Sequence, residues 1–100
     1  MLGSYRFAII ETYLARGEPS RHAVRARVLS GQGFPRTMRV ECSASMRESH
    51  PVPTKFKVWA KIKGTVLDSH LYTSWQWEYW VVSDAEAKQF IRAGKWSAET

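Results

Sequence analysis

Hydrophobic and polar residues alternate along much of the chain, most clearly in "TKFKVWAKIKG". There Phe56, Val58, Ala60 and Ile62 take turns with Lys55, Lys57, Trp59, Lys61 and Lys63. Successive side chains of a strand point to opposite faces. The segment therefore predicts a strand over 54–63 with one apolar face and one face of four lysines around a tryptophan. "SYRFAIIETYLA" predicts a first strand over 4–15, being rich in β-branched and aromatic residues. "HAVRARVL" predicts a second over 22–29, with Val24, Ala26 and Val28 opposed to Arg25 and Arg27. "TMRVECSAS" predicts a third over 37–45, with Met38, Val40 and Cys42 opposed to Arg39, Glu41 and Ser43. "LYTSWQWEYWVV" predicts a strand over 71–82, the fifth after the lysine strand. Ser74, Gln76 and Glu78 lie on one of its faces, so the other, with Trp75, Trp77, Tyr79 and Val81, is expected to point inward.

Punctuation between these segments agrees. Gly17 and Pro19, the "SGQGFP" stretch, and Pro51 with Pro53 each interrupt the alternation. After the fifth strand the period changes. Ala87, Phe90 and Ile91 form an apolar stripe, Ser83 and Glu86 stand at capping-box spacing, and Gly94 can end the turn. A helix is predicted over 84–92. Five short strands with one C-terminal helix predict an all-β domain spanning 1–100, a small five-stranded antiparallel barrel. The alternative is an open, highly curved sheet closed by dimerisation. The expected core is Phe7, Ile9, Val24, Val28, Val40, Phe56, Val58, Ile62, Trp75, Trp77, Phe90 and Ile91.

Composition narrows the class. One hundred residues with 44% hydrophobic content suffice for one core, and no apolar run reaches the ~18 residues that span a bilayer. "FAII" is short for a signal-peptide core and runs into Glu11, so a cytoplasmic protein with no membrane partner is expected. A single cysteine, Cys42, agrees with a reducing compartment. Charge adds more. Residues 16–63 carry eleven Lys and Arg against three acidic residues, a net of +8, whereas residues 64–100 carry a net of −2. A field of this kind attracts anionic partners.

Catalytic and metal patterns do not emerge. His22, His50 and His70 occur singly, without the paired spacing of metal ligands, and no cofactor is expected. Cys42 falls on an apolar face, where cysteine is usually an inert small hydrophobe. "GQG" at 31–33 is too short for a phosphate loop. An enzyme would require His22, His50 or His70 beside Glu41, Asp68 or Cys42 in one concave pocket; a non-enzymatic binding module is the expectation.

The candidate site is the basic face itself. If the second, third and fourth strands pair in order, Arg25, Arg27, Arg39, Lys55, Lys57, Lys61 and Lys63 lie side by side, with Trp59 among them. Like charges facing each other across a sheet are destabilising, so folding gains nothing from the arrangement. Lysines also guard edge strands without binding anything. As a binding face it suits a nucleic acid or another polyanion, with lysines on phosphates and Trp59 stacked on a base. The competing partner is a second copy of the chain, or a small apolar ligand, meeting an aromatic face that includes Tyr72 and Trp80.

The segments "RARVLSGQGFP", "MRVECSASMRESHPVPTKF" and "LYTSWQWEY", within residues 22–82, resemble small bacterial proteins borne on mobile elements of the integron gene-cassette type. The resemblance implies a bacterial or environmental origin and a compact stand-alone domain, and it implies no activity.

Overall fold

Ten residues of alternating character in the lysine segment form the hub of the molecule. The structure is a computed structural model describing residues 5–15, 24–35, 37–65 and 68–94. Its elements run β1 (Tyr5–Leu14), β2 (Val24–Val28), β3 (Arg39–Glu41), α1 (Ala44–Glu48), β4 (Lys55–Gly64), β5 (Ser69–Tyr72), β6 (Tyr79–Val82) and α2 (Asp84–Ala93). β4 is the lysine strand. One of its edges pairs antiparallel with β1, from Tyr5↔Lys61 to Glu11↔Lys55. Its other edge is shared: β6 takes Lys55 to Val58, and β5 takes Lys61 to Gly64.

The ring closes through β1–β2, β2–β3, a parallel β3–β5 pairing and β5–β4. Five strands thus make a closed barrel, with β6 as a sixth strand laid along β4. Inside it, Ala8, Ile10, Ala26, Val28, Phe56, Val58, Ala60 and Leu71 form the packed core, and Met46 of α1 joins them. Ile9 is fully buried as well, although it lies on the outer side of β1. There α2 and the turn after β2 cover the sheet, with Ala87 buried and Ile91 packed close to Gly31.

Three expectations are corrected. The predicted third strand, 37–45, ends at Glu41, because Ser43 caps a helix: its Oγ accepts from the Met46 N–H at 3.0 Å. The predicted fifth strand, 71–82, is two strands separated by a turn. Trp77 N donates to Ser74 O at 3.0 Å, and Gln76 N donates to Ser74 Oγ at 3.2 Å, so this serine offers the backbone a local alternative to the ladder. The break moves Trp75 out of the core to 76% exposure and leaves Trp77 half-buried on the outer surface. Phe7, also expected in the core, faces outward because Ala8 and Ile10 occupy the inner side of β1.

Expected consecutive pairing gives way too. α1 and the proline-containing connection after it carry the chain from β3 to β1's far side, so β3 meets β5 in parallel and not β4. Val28, Phe56 and Val58 are buried as expected, and Val40 and Ile62 pack partly buried against them, while Val24, Phe90 and Ile91 are half-buried. Ser4, His22 and Ala23, which begin two predicted strands, lie outside the described residues.

The predicted helix is present as α2 with its capping box intact: Ser83 Oγ accepts from Glu86 N at 3.1 Å, and Ser83 N donates to Glu86 Oε1 at 2.8 Å. Gly94 closes it in the left-handed conformation, at φ +67°, which costs glycine little.

Candidate functional site

Residues opposite each other in register share a face, so the pairings draw rows across the outside of the barrel. One row runs Arg27 (β2), Arg39 (β3), His70 (β5) and Lys63 (β4). The next runs Glu41, Tyr72, Lys61 and Tyr5. Four strands therefore place in line residues that are scattered over 44 positions of sequence, from Arg27 to His70.

β2 and β3 touch through a single register pair, Arg27↔Arg39, and diverge beyond it. The divergence opens a groove of about 790 Å³ whose walls include Tyr13, Arg25, Arg27, Arg39, Arg47 and His70, with Met38 and Val40 among its lining. Among the described residues Glu41 is the one carboxylate on that lining. It lies 3.0 Å from His70 Nε2, within hydrogen-bonding distance. Arg27 Nη2 meets Glu11 at 3.2 Å, and its guanidinium carbon Cζ lies 5.1 Å from the centre of the Tyr13 ring. Arg39 meets Asp68 at 2.6 Å with both side chains mostly exposed. Such exposed pairs are worth ~0–1 kcal/mol and exchange readily for another anion. Arg47 is held from below: Nη1 donates to Cys42 O at 3.1 Å, and its buried Nε has no partner. Burial pushes the Cys42 thiol above its ordinary range, so it stays protonated against this arginine.

The lysine strand divides in two. Lys55, half-buried, is held between Glu11 Oε2 at 2.8 Å and Asp84 Oδ1 at 2.7 Å, tying β4 to β1 and to the first turn of α2. Lys57 directs its ammonium at Phe7 (4.8 Å), Trp80 (5.2 Å) and Phe90 (5.7 Å), three rings that enclose it beside α2. These two lysines therefore fasten the helix. Lys61 lies 5.2 Å from the Tyr5 ring centre, and Lys63 lies 4.1 Å from that of Tyr72.

Six rings run in contact over this side: Trp80, Phe7, Trp59, Tyr5, Trp77 and Tyr72. Trp59 sits between Phe7, edge-on at 4.7 Å, and Tyr5, stacked at 5.9 Å and 11°. Phe7 meets Trp80 at 6.1 Å, and Trp77 meets both Tyr5 and Tyr72 edge-on at 5.7 Å. Tyr5 and Trp80 remain 44% and 41% exposed.

The residues singled out from the sequence thus fall into two patches and an ion-paired anchor. Arg25, Arg27 and Arg39 share the groove; Trp59, Lys61, Lys63 and Tyr72 lie on the aromatic side; Trp80 closes over Lys57, and Lys55 is consumed internally. Tyr5, Tyr13 and Arg47 join the site without having been singled out; Phe7 and Trp77, expected in the core, and His70, weighed only as a catalytic candidate, join it too. Only β1 offered a signal, since Tyr5 and Phe7 share its outward alternation with Glu11 and Tyr13.

His70 beside Glu41 in a concave groove is one of the pairings that catalysis would require. Among the described residues its imidazole has Glu41 as sole hydrogen-bonding partner, so no hydroxyl or thiol is held for activation. No group of three His, Cys, Asp or Glu side chains among the described residues could hold a metal ion. No helix among them is long and apolar enough to cross a membrane.

Glu11 supplies a pH prediction. The hydrogen bond from Lys55 first, and that from Arg27, hold its carboxyl below the ordinary glutamate range. A depressed folded-state pKa contributes stability that is present above the unfolded pKa and is lost as pH falls through the folded one. Denaturation midpoints measured from pH 7 downward should therefore decline below pH ~4.5 with a smaller decline in Glu11→Gln, because that variant has no proton to take up. Parallel curves would remove Glu11 from the acid response.

No protein-family model, curated protein or solved structure matches the chain.

Proposed function

We propose that the protein is a binding module for an extended polyanion, a nucleic acid strand held by its phosphates without regard to sequence. One observation carries the reading. Arg25, Arg27, Arg39 and Arg47 converge on a single groove where, among the described residues, Glu41 is the only carboxylate. Register continues that groove through His70 to Lys63. A guanidinium presents a planar fork of donors that suits phosphate, and a row of such forks suits a repeating anion better than a compact one.

Architecture gives the reading some support. Small five-stranded barrels of the oligonucleotide-binding type use the face of strands two and three, the face that carries this groove. That likeness is one of architecture and assigns no ligand by itself. The lysine strand contributes only its second half, because Lys55 and Lys57 are engaged with Glu11, Asp84 and the rings beside α2.

Binding to a fluorescein-labelled oligonucleotide, followed by anisotropy from 50 to 300 mM salt (about the range over which phosphate contacts weaken steeply), tests the proposal. Each phosphate contact contributes a log–log slope of about −0.7 on a single strand. The double variant Arg27→Gln/Arg39→Gln should lose about ten-fold or more in affinity at the lowest salt and show a slope shallower by about 1.4. Lys57→Gln should keep the wild-type slope. Absence of association at the lowest salt, or a slope unaltered by the double variant, would remove the groove as the binding site.

A further inference from the structure

We infer that the bound polyanion is single-stranded nucleic acid, its bases lying on an aromatic platform of Tyr72, Trp77 and Tyr5 that Trp75 extends. The inference rests on the groove reading and adds to it a requirement for unpaired bases.

Continuity is the first argument. The basic row through the groove ends at Lys63 on β4. The row beside it contains Tyr72, Lys61 and Tyr5 in register. A backbone following the arginines to Lys63 thus arrives at aromatic rings and at a second lysine. Among the described residues the groove offers one phenol ring, Tyr13, which has the Arg27 guanidinium 5.1 Å from its centre.

The state of the rings is the second argument. Trp75 stands in the β5–β6 turn with 76% of its surface in water, two residues from Trp77. Trp77 is wedged edge-on against Tyr5 and Tyr72, so the platform is built before any ligand arrives. Tyr5, itself stacked on Trp59, keeps 44% of its surface open. An indole in water is unfavourable, and an unpaired base offers it a flat apolar face.

Charge placement is the third. Lys61 and Lys63 hold their ammonium groups near Tyr5 and Tyr72, at 5.2 and 4.1 Å from the ring centres. Four carbons let each ammonium swing to a phosphate beside a base that stacks on the ring. Alternating ring and cation match the alternation of base and phosphate along one strand. A duplex stacks its bases inside and hides their faces from such a platform, while a polyphosphate or sulfated glycan has no base to place there.

The decisive probes are a 15-nucleotide oligo(dT), an abasic deoxyribose-phosphate oligomer of the same length, the corresponding duplex, and phosphatidylserine-containing vesicles. Oligo(dT) should bind about ten-fold or more tightly than the abasic oligomer, with nearly the same salt slope, because both present the same phosphates. Trp75→Ala should lower oligo(dT) affinity about five-fold or more without altering its slope or the abasic affinity. Trp75→Phe should retain most of the loss-prone affinity by keeping a ring. The exposure of Trp75 keeps these variants folded.

Equal affinity for the abasic oligomer and oligo(dT) would overturn the inference while the groove reading stood. Insensitivity of oligo(dT) binding to Trp75→Ala would overturn it in the same way. Preference for the duplex, or for the vesicles over oligo(dT), would overturn it in favour of a base-paired or membrane partner. Failure of all four probes to bind would remove both the inference and the groove reading.

Discussion

Replacing Phe56 by alanine is expected to cost about 3–5 kcal/mol of folding stability. Phe56 is the largest fully buried side chain among the described residues. It sits at a three-strand junction, opposite Ile10 on β1 and Val81 on β6. Its ring meets His50 at 5.1 Å and Tyr79 at 5.4 Å, both edge-on, so truncation removes aromatic contacts along with buried area. A void here is bounded by β-strands on both sides, and strands held by ladders cannot collapse into it without breaking pairs. Set against a typical total of about 5–15 kcal/mol, the loss places the variant near the edge of folding. Urea denaturation gives the value. Trp75→Ala, by contrast, should change stability by less than about 0.5 kcal/mol, as exposed substitutions do. A Phe56 loss below about 1 kcal/mol, or a Trp75 loss above it, would reverse the assignment of inside and outside.

The second large effect is expected at Gln32, in the turn after β2. β2 stops pairing with β1 at Ile10↔Val28, so the N–H of Ile9 has no backbone partner on that edge. Gln32 supplies one from a fully buried side chain: Oε1 accepts from Ile9 N at 2.7 Å, and Nε2 donates to Ile9 O at 2.9 Å and Leu29 O at 2.7 Å. The amide acts as one more residue of β2. Ile9 O keeps a second donor, Leu29 N at 3.2 Å, whereas Ile9 N has no substitute on this edge.

Gln32→Leu preserves much of the volume and strands that N–H, which costs about 1–3 kcal/mol for the orphaned donor alone. With the remaining bonds the expected loss is about 2–4 kcal/mol, again from denaturation. Gln32→Glu offers a second reading of the same site. Its ionised carboxylate would face the carbonyls of Ile9 and Leu29, so burial and repulsion raise its folded-state pKa. A raised pKa means stability that is present at low pH and lost as pH rises through the folded value. The glutamate variant should therefore improve relative to wild type on acidification. A neutral outcome for Gln32→Leu together with a pH-independent Gln32→Glu would show that solvent reaches this amide.

Several features depend only on neighbours within a few positions, and those the sequence determined by itself. Alternation of Phe56, Val58, Ala60 and Ile62 with lysines makes a strand wherever the segment finds partners, and β4 covers 55–64 against 54–63 read from the pattern. Ser83, Glu86 and Gly94 mark the ends of α2, because capping bonds close within one turn of chain. A closed barrel also follows from local pattern, since many short strands and few helices leave little else to cover sheet edges. Tertiary structure alone decided which strands meet. β3 pairs with β5 and β4 with β1, so Arg39 joins His70 and Lys63, while Lys55 meets Glu11. Alternation tells only that two faces differ, and in a barrel rich in tryptophan either face can be aromatic. The pattern therefore places Phe7 and Trp77 inside where the barrel has them outside, and the break at Ser74 takes Trp75 and Trp77 out of the ladder. Gln32, polar and flanked by glycines, carries no local sign of burial, because what buries it is the unpaired edge of a strand 23 residues away. Pairing and register are set by closure of the whole ring, and no short stretch of sequence contains that information.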